Sequence, residues 1–299
     1  MWLVYSILTT LSWGFADLFY KKGNAPNDKS SHIKTVVMVG VVMGIHAFAY
    51  MIIKDVPFSL RYLIIYLPVS FMYILSMAIG YFGLRYIELS ISSPVQNSSG
   101  AVTAILIYIF FTHRLSFIEI SAIILITVGI VALAFFERRS DADAIPHREE
   151  DKKYRIGFLA IIFPILYCII DGLGTFADAV YLDELSLIGE DQALLAYEFT
   201  FFIVAVIAII YLFAKGERIS FKGEKDRGLA AVFETSGQFF YVYAMAQNAI
   251  IVAPLVASYS AVAVVLSRIF LKEKLTTAQY TMIIIVMLGI GMLAVSEVL

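Results

Sequence analysis

The sequence predicts an all-α integral membrane protein: ten transmembrane helices arranged as two five-helix repeats of inverted topology. Three observations carry this. The 299 residues are 61% hydrophobic and only 15% charged, with mean hydropathy +0.85, whereas soluble domains carry about 25% charged residues; the chain belongs to the membrane class. Ten apolar runs are each about 20 residues long, enough to cross a bilayer as a helix. Residues 89–137 match residues 249–297 without a gap at an offset of 160, with 16 identities in 49 columns. Pro94 falls on Pro254, Ser98 on Ser258, Gly129 on Gly289 and Glu137 on Glu297. Shared hydrophobicity alone does not align Pro, Gly and a polar break together, so the match reads as an internal repeat.

The expected spans are 2–20, 33–53, 60–82, 91–111, 117–136, 156–180, 192–214, 228–247, 250–270 and 277–296. The first ends in Lys21-Lys22 rather than a small-residue cleavage site, so it reads as an uncleaved helix. Segment 21–32 is polar and basic, with an Asn-Ala-Pro-Asn turn. Pro94 and Pro254 lie near the starts of the fourth and ninth spans, and the first turn is where a helix tolerates proline. The charged segment 138–155 divides the chain into a first repeat, 1–137, and a second, 156–299. Homologous halves with an odd number of spans lie in the membrane in opposite orientations, as in many secondary transporters whose substrate site is near the midplane between repeats. Of the 22 Lys and Arg, all but Lys54, Arg61 and Arg114 lie in the connections after the odd-numbered spans. The positive-inside rule makes those connections cytoplasmic, the 138–155 linker among them, and puts both termini outside the cell membrane. The single cysteine, Cys168, permits no intrachain disulfide or cysteine metal cluster.

Ionisable residues at membrane depth are expensive and point to function. Asp17, Asp171, Asp178, Glu198 and Glu234 qualify, and no Lys or Arg lies at comparable depth apart from Arg268 near one end. Asp171 and Glu234 are deepest. Asp17 and Asp178 lie near span ends, where water alone explains them as readily, and Glu198 reads as interfacial. Helical spacing puts Trp13 with Asp17 on one face, Asp171 with Thr175 and Asp178 on another, Glu234 with Gln238 and Tyr241 on a third, and Tyr73, Met77 and Tyr81 on a fourth. At the repeat offset Tyr81 pairs with Tyr241. Polar residues follow both prolines: Gln96 and Asn97 in one copy, Ser258, Tyr259 and Ser260 in the other. A cavity-lining Asn97 or Ser98 offers hydrogen bonds to a ligand, while small residues serve close helix contact equally well. His46 reads equally as a packing residue or a proton carrier. Phosphate-loop, dinucleotide, zinc-helix and nucleophile-elbow motifs are missing from the sequence, so no cofactor, metal, catalytic residue or nucleic-acid partner is expected.

With these residues in view, the chain resembles the drug/metabolite transporter superfamily, in particular its EamA-type ten-helix members. The resemblance rests on Ser12-Trp13-Gly14-Phe15, Ser93-Pro94, Ala253-Pro254 and the run Phe270-Leu271-Lys272-Glu273-Lys274-Leu275-Thr276 with Gln279 and Gly289. The first half carries that run only as Phe111-Thr112-His113-Arg114-Leu115-Ser116, without the glutamate. The resemblance implies that spans 1, 3, 4, 6, 8 and 9 line a central cavity and that 5 and 10 lie outside it. It puts Trp13, Asp17, Tyr81, Asn97, Asp171, Glu234, Gln238, Tyr241 and Ser258 on lining helices as substrate-binding candidates and leaves Glu198 off them. The expected function is secondary transport of a small polar, amine-bearing metabolite (amino acid or organic cation) by alternating access, with one carboxylate available for a coupling proton. A lipid or lipid-linked flippase of the same fold is the alternative. An intramembrane enzyme using Asp171 and Glu234 as paired carboxylates ranks last, having no motif around them. The sequence does not state an oligomeric state.

Overall fold

The computed structural model describes residues 2–24, 28–110, 116–143, 157–217, 219 and 223–296. The first half contains α1 (Trp2–Gly23), α2 (Ser31–Ile53), α3 (Leu60–Gly83), α4 (Leu89–Gln96), α5 (Ser99–Phe110) and α6 (Phe117–Asp143). The second contains α7 (Ile162–Ala179), α8 (Glu190–Ala214), α9 (Lys225–Ala257), α10 (Tyr259–Leu266) and α11 (Thr277–Ser296). A 3₁₀ turn, Gly157–Ile161, leads into α7, and π-helical turns Val180–Glu184 and Ser267–Leu271 follow α7 and α10. Ser31–Ile53, Leu60–Gly83, Leu159–Leu182 and Glu190–Ala214 are long and apolar enough to cross a membrane; Phe117–Ala132, Tyr259–Leu271 and Thr277–Met292 are shorter apolar helices. Large apolar side chains point outward on many of them, with Ile53 79% and Phe117 83% exposed. That is the surface of a protein whose solvent is lipid.

Two boundaries differ from expectation. The 91–111 span is broken into α4 and α5 at Asn97-Ser98. Pro94 therefore lies inside the eight-residue α4 and not in the first turn of a long span; it supplies no N–H to the helix ladder, and the helix ends two residues later at Gln96. In the second half no break occurs between 247 and 250, and Pro254 lies inside a continuous helix rather than near the start of a span. Helix α9 runs on to Ala257 and the chain breaks at Ser258 instead. The two breaks correspond at the repeat offset: Ala101 N–H donates to Ser98 O at 3.0 Å, and Ala261 N–H donates to Ser258 O at 2.9 Å. Residues 138–143 of the expected linker continue α6, while 144–155 lie outside the described residues, as does the His113 segment.

The halves pack on each other through matched contacts. Helix α1 packs on α9 and α3 on α7; α2 packs on α9 and α3 on α8; α1 packs on α10 and α5 on α7. Helices α2 and α8, and α6 and α11, pair with their own counterparts. In the α6–α11 pair, a Cβ at Gly129 would lie 2.5 Å from Val286 and one at Gly289 would lie 2.6 Å from Ile126. Each glycine admits the branched side chain that occupies the other's partner position at the 160 offset, so the two backbones meet closely. The principal buried cluster runs through α1, α2, α3, α8 and α9, and a second joins α4, α6 and α11.

Candidate functional site

A cavity of about 190 Å³ opens between α1, α3, α7, α8, α9 and the broken α4–α5 and α9–α10 segments. Asp17, Asp171, Asp178 and Glu234 all line it, with Gln96, Asn97 and Gln238. Among the described lining residues there is no Lys, Arg or His.

Each acid is held by a neighbouring helix. Ser93 of α4 donates to Asp17 Oδ2 at 2.5 Å, and the Asn97 amide donates to the Ser93 carbonyl at 3.0 Å. Tyr20 donates its phenol O–H to Glu234 Oε2 at 3.3 Å. Ser76 Oγ is 3.5 Å from Asp171 Oδ1, and Tyr73 donates to Thr175 Oγ1 at 3.2 Å. The Tyr66 hydroxyl donates to Asp178. Aromatic rings fill the walls between the acids. Trp13 lies 5.1 Å from Tyr241 and 5.6 Å from Tyr259, Tyr20 lies 4.5 Å from Tyr81, and Tyr73 lies 5.9 Å from Tyr197, centroid to centroid. Trp13 also donates its indole N–H to the Glu234 carbonyl at 3.3 Å. Glycine makes room for two of these rings. A Cβ at Gly237 would collide with Trp13, and one at Gly80 would lie 2.7 Å from Tyr167.

Trp13, Asp17, Tyr81, Asn97, Asp171, Glu234, Gln238 and Tyr241 therefore surround one space. Ser258 is not among the lining residues; its neighbours Ala257 and Tyr259 are, because Ser258 occupies the junction between α9 and α10. Tyr20, Tyr66, Tyr167 and Tyr197 also line the cavity and were not singled out from the sequence, whereas Tyr259 was named there only as one of the polar residues after Pro254. Tyr167 had a usable signal, lying one turn before Asp171 on the same face. Tyr197 had none: α8 is the seventh span, which the resemblance leaves off the cavity. Glu198, expected at the interface, is enclosed by protein. It is 0% exposed and packed against α2, with both carboxylate oxygens 2.8 and 2.9 Å from His46 Nδ1. Asp178 is likewise held by Tyr66 and faces the cavity, which an end-of-helix position alone does not convey.

The two ends of the cavity differ. Toward the α7–α8 connection it continues into a vestibule of about 750 Å³, which shares Tyr66, Thr175, Asp178, Tyr197, Gln238 and Tyr241 with it and reaches Ser186, Gly189 and Glu190. At the other end, where the basic connections gather, polar contacts cross between the halves. Asp28 pairs with Lys34 at 3.1 Å and with Arg227 at 3.0 Å. Lys34 also reaches Glu217 at 3.3 Å, and Arg227 pairs with Glu224. Lys21 donates to the carbonyls of Leu84 and Ile87. Partial burial works to raise the Asp28 carboxyl, but the hydrogen bond and charge of Lys34, the Ser30 N–H and the charge of Arg227 outweigh it and hold Asp28 below its ordinary value.

A family model described as purine nucleobase transmembrane transport matches residues 52–272, about three quarters of the chain. No curated protein matches the sequence significantly. Among solved structures, one crystal structure superposes over 99% of this chain and 98% of its own with a TM-score of 0.61 at 10% identity, a likeness of fold alone. The chain belongs to the purine nucleobase transmembrane transport family, within the drug/metabolite transporter superfamily, and is a multi-pass membrane transporter of small metabolites, not an enzyme.

Proposed function

We propose that the protein is a secondary transporter of purine nucleobases, or of a similarly flat, amine-bearing metabolite, working by alternating access. The observation that carries the reading is the cavity wall: four carboxylates and three carboxamides set among aromatic rings, with no cation among the described lining residues. Aromatic faces stack on a planar heterocycle, and carboxylates and amide oxygens accept from its ring N–H and exocyclic amino groups. A protonated amine gains charge attraction as well, together with cation–π attraction of about 0.5–2 kcal/mol per ring. An anionic substrate meets four carboxylates and no cation among the described lining residues. The polar wall also disfavours a lipid flippase, which needs an apolar groove.

Ten spans in two inverted halves, 1–137 and 156–299, joined by a cytoplasmic 138–155 segment, account for the offset repeat and for the matched contacts between halves. In this EamA-type arrangement the basic end faces the cytoplasm of a cell membrane, both termini lie outside, and the vestibule is the outward mouth. Substrate binds to Trp13, Asp17, Tyr81, Asn97, Asp171, Glu234, Gln238 and Tyr241, with Ser258 shaping the break behind Tyr259. Either Asp171 or Glu234 carries a coupling proton. The test is a thermal-shift screen against purines, pyrimidines, amines, amino acids and carboxylates, since a ligand that binds the folded state raises the melting temperature. Stabilisation by purines or amines and not by carboxylates is expected. Stabilisation by carboxylates alone would overturn the assignment.

A further inference from the structure

The glutamate that the repeat keeps in only one copy has a role in the structure. Glu273 lies in the second half, just after the π-helical turn that ends α10, where Lys272 turns the backbone left-handed (φ 56°). Its carboxylate crosses to the first half and accepts from Leu89 N–H at 2.9 Å, Ser90 N–H at 3.0 Å and Ser90 Oγ at 2.6 Å. Leu89 and Ser90 open α4, whose own N-cap, Glu88, makes no side-chain cap. The first N–H groups of a helix have no partner within it and carry partial positive charge, so Glu273 caps α4 from the opposite half. Arg268 braces the Glu273 carbonyl at 2.9 Å. Seven residues along α4, Gln96 and then Asn97 face the cavity, and Ser93 holds Asp17 between.

The first copy of the repeat carries no glutamate at the corresponding position. At the repeat offset Glu273 corresponds to His113, and Leu89-Ser90 corresponds to Ala249-Ile250. Those two residues lie in the continuous helix α9, where no free helix N-terminus is exposed for capping. We infer that Glu273 is a one-sided latch: by capping α4 it holds the basic end of the cavity shut, and its lack of a counterpart leaves the vestibule end open, so that the resting protein faces the vestibule side. This rests on the alternating-access reading above and names the positioning residue that biases it. Passage to the opposite state requires the carboxylate to leave α4, which releases α4 and the Ser93–Asp17 contact together.

The test uses a reporter cysteine at Leu84, which lines the basic end of the cavity, in a Cys168→Ala background. A membrane-impermeant maleimide is applied to sealed vesicles of each orientation. Glu273→Ala should accelerate labelling from the basic face by about tenfold, the scale set by losing hydrogen bonds to a charged group, and Ser90→Ala should accelerate it less, in the same direction. Labelling from the vestibule face should not rise, whereas general loosening would raise both. Unchanged labelling in both variants, with melting curves showing them folded, overturns the latch. If Glu273→Ala does not fold, Ser90→Ala decides alone. The labelling needs no substrate, so a protein that fails to transport purines refutes the substrate assignment and leaves the latch result standing.

Discussion

The two ends of the cavity lie between the same pairs of packed helices and are held by different contacts. At the basic end Asp28, Lys34, Glu217, Glu224 and Arg227 tie the halves together and Glu273 caps α4. Toward the vestibule end tyrosines join the halves, Tyr66 donating to Asp178 and Tyr50 to Asp191 at 2.9 Å, with His46 against Glu198 one turn before Tyr50. The difference bears on how two matched halves acquire a direction. Helix breaks at Ser98 and Ser258 recur at the repeat offset, and in the latch proposed above the glutamate kept in one copy alone is what holds one end shut.

The largest effect should come from breaking the closed end. Arg227→Ala leaves Glu224, itself 4% exposed, without its cation. Removing one member of a buried pair destabilises by about 3–5 kcal/mol, so thermal melting should fall sharply, whereas Arg61→Ala near the open end should change little. Next come the acids between the ends. Asp171→Asn and Glu234→Gln should each lower kcat/KM for uptake by about ten- to hundredfold, the range for hydrogen bonds to charged groups; transport at the wild-type rate would remove that residue from the site.

A pH titration separates the ends more finely. Asp28 is held below its ordinary value, so its contribution to closure is complete above the unfolded carboxylate value of 3.8 and is lost as pH falls through the lower folded value. Quenching of a fluorophore attached at Leu84→Cys by a membrane-impermeant quencher applied from the basic face should therefore stay flat from neutral pH down to that region and rise below it, and Asp28→Asn should raise it already at neutral pH. The smallest effect is expected at the mouth. In Tyr66→Phe, water in the vestibule can replace the lost donor to Asp178, so substrate affinity should weaken by about 1 kcal/mol or less, read by titration of the melting temperature.

Much of this was legible in the sequence because the membrane demands long apolar runs, and because the acids stand out against them. Trp13 with Asp17, and Glu234 with Gln238 and Tyr241, follow from helical spacing alone. What spacing does not give is the partner. His46 and Glu198 are 152 residues apart, and nothing on either helix announces the other. The lining tyrosines were hidden for a different reason: Tyr is also the residue of membrane interfaces, so Tyr20, Tyr66 and Tyr197 carry no mark until their helices are placed side by side. The break at Ser258 escaped because helix termination there follows from neither glycine nor an apolar gap. Glu273 was visible as a motif, but its target, the start of α4, required the fold.

On the proposed function, the acidic, aromatic cavity carries a purine or amine through the membrane. Uptake of radiolabelled adenine into proteoliposomes, with and without an inward proton gradient, tests it most directly. Saturable uptake is expected, accelerated by the gradient, competed by purines and amines but not by carboxylates, and reduced in Asp171→Asn and Glu234→Gln. Uptake of adenine and of amines no greater than in protein-free liposomes would contradict it.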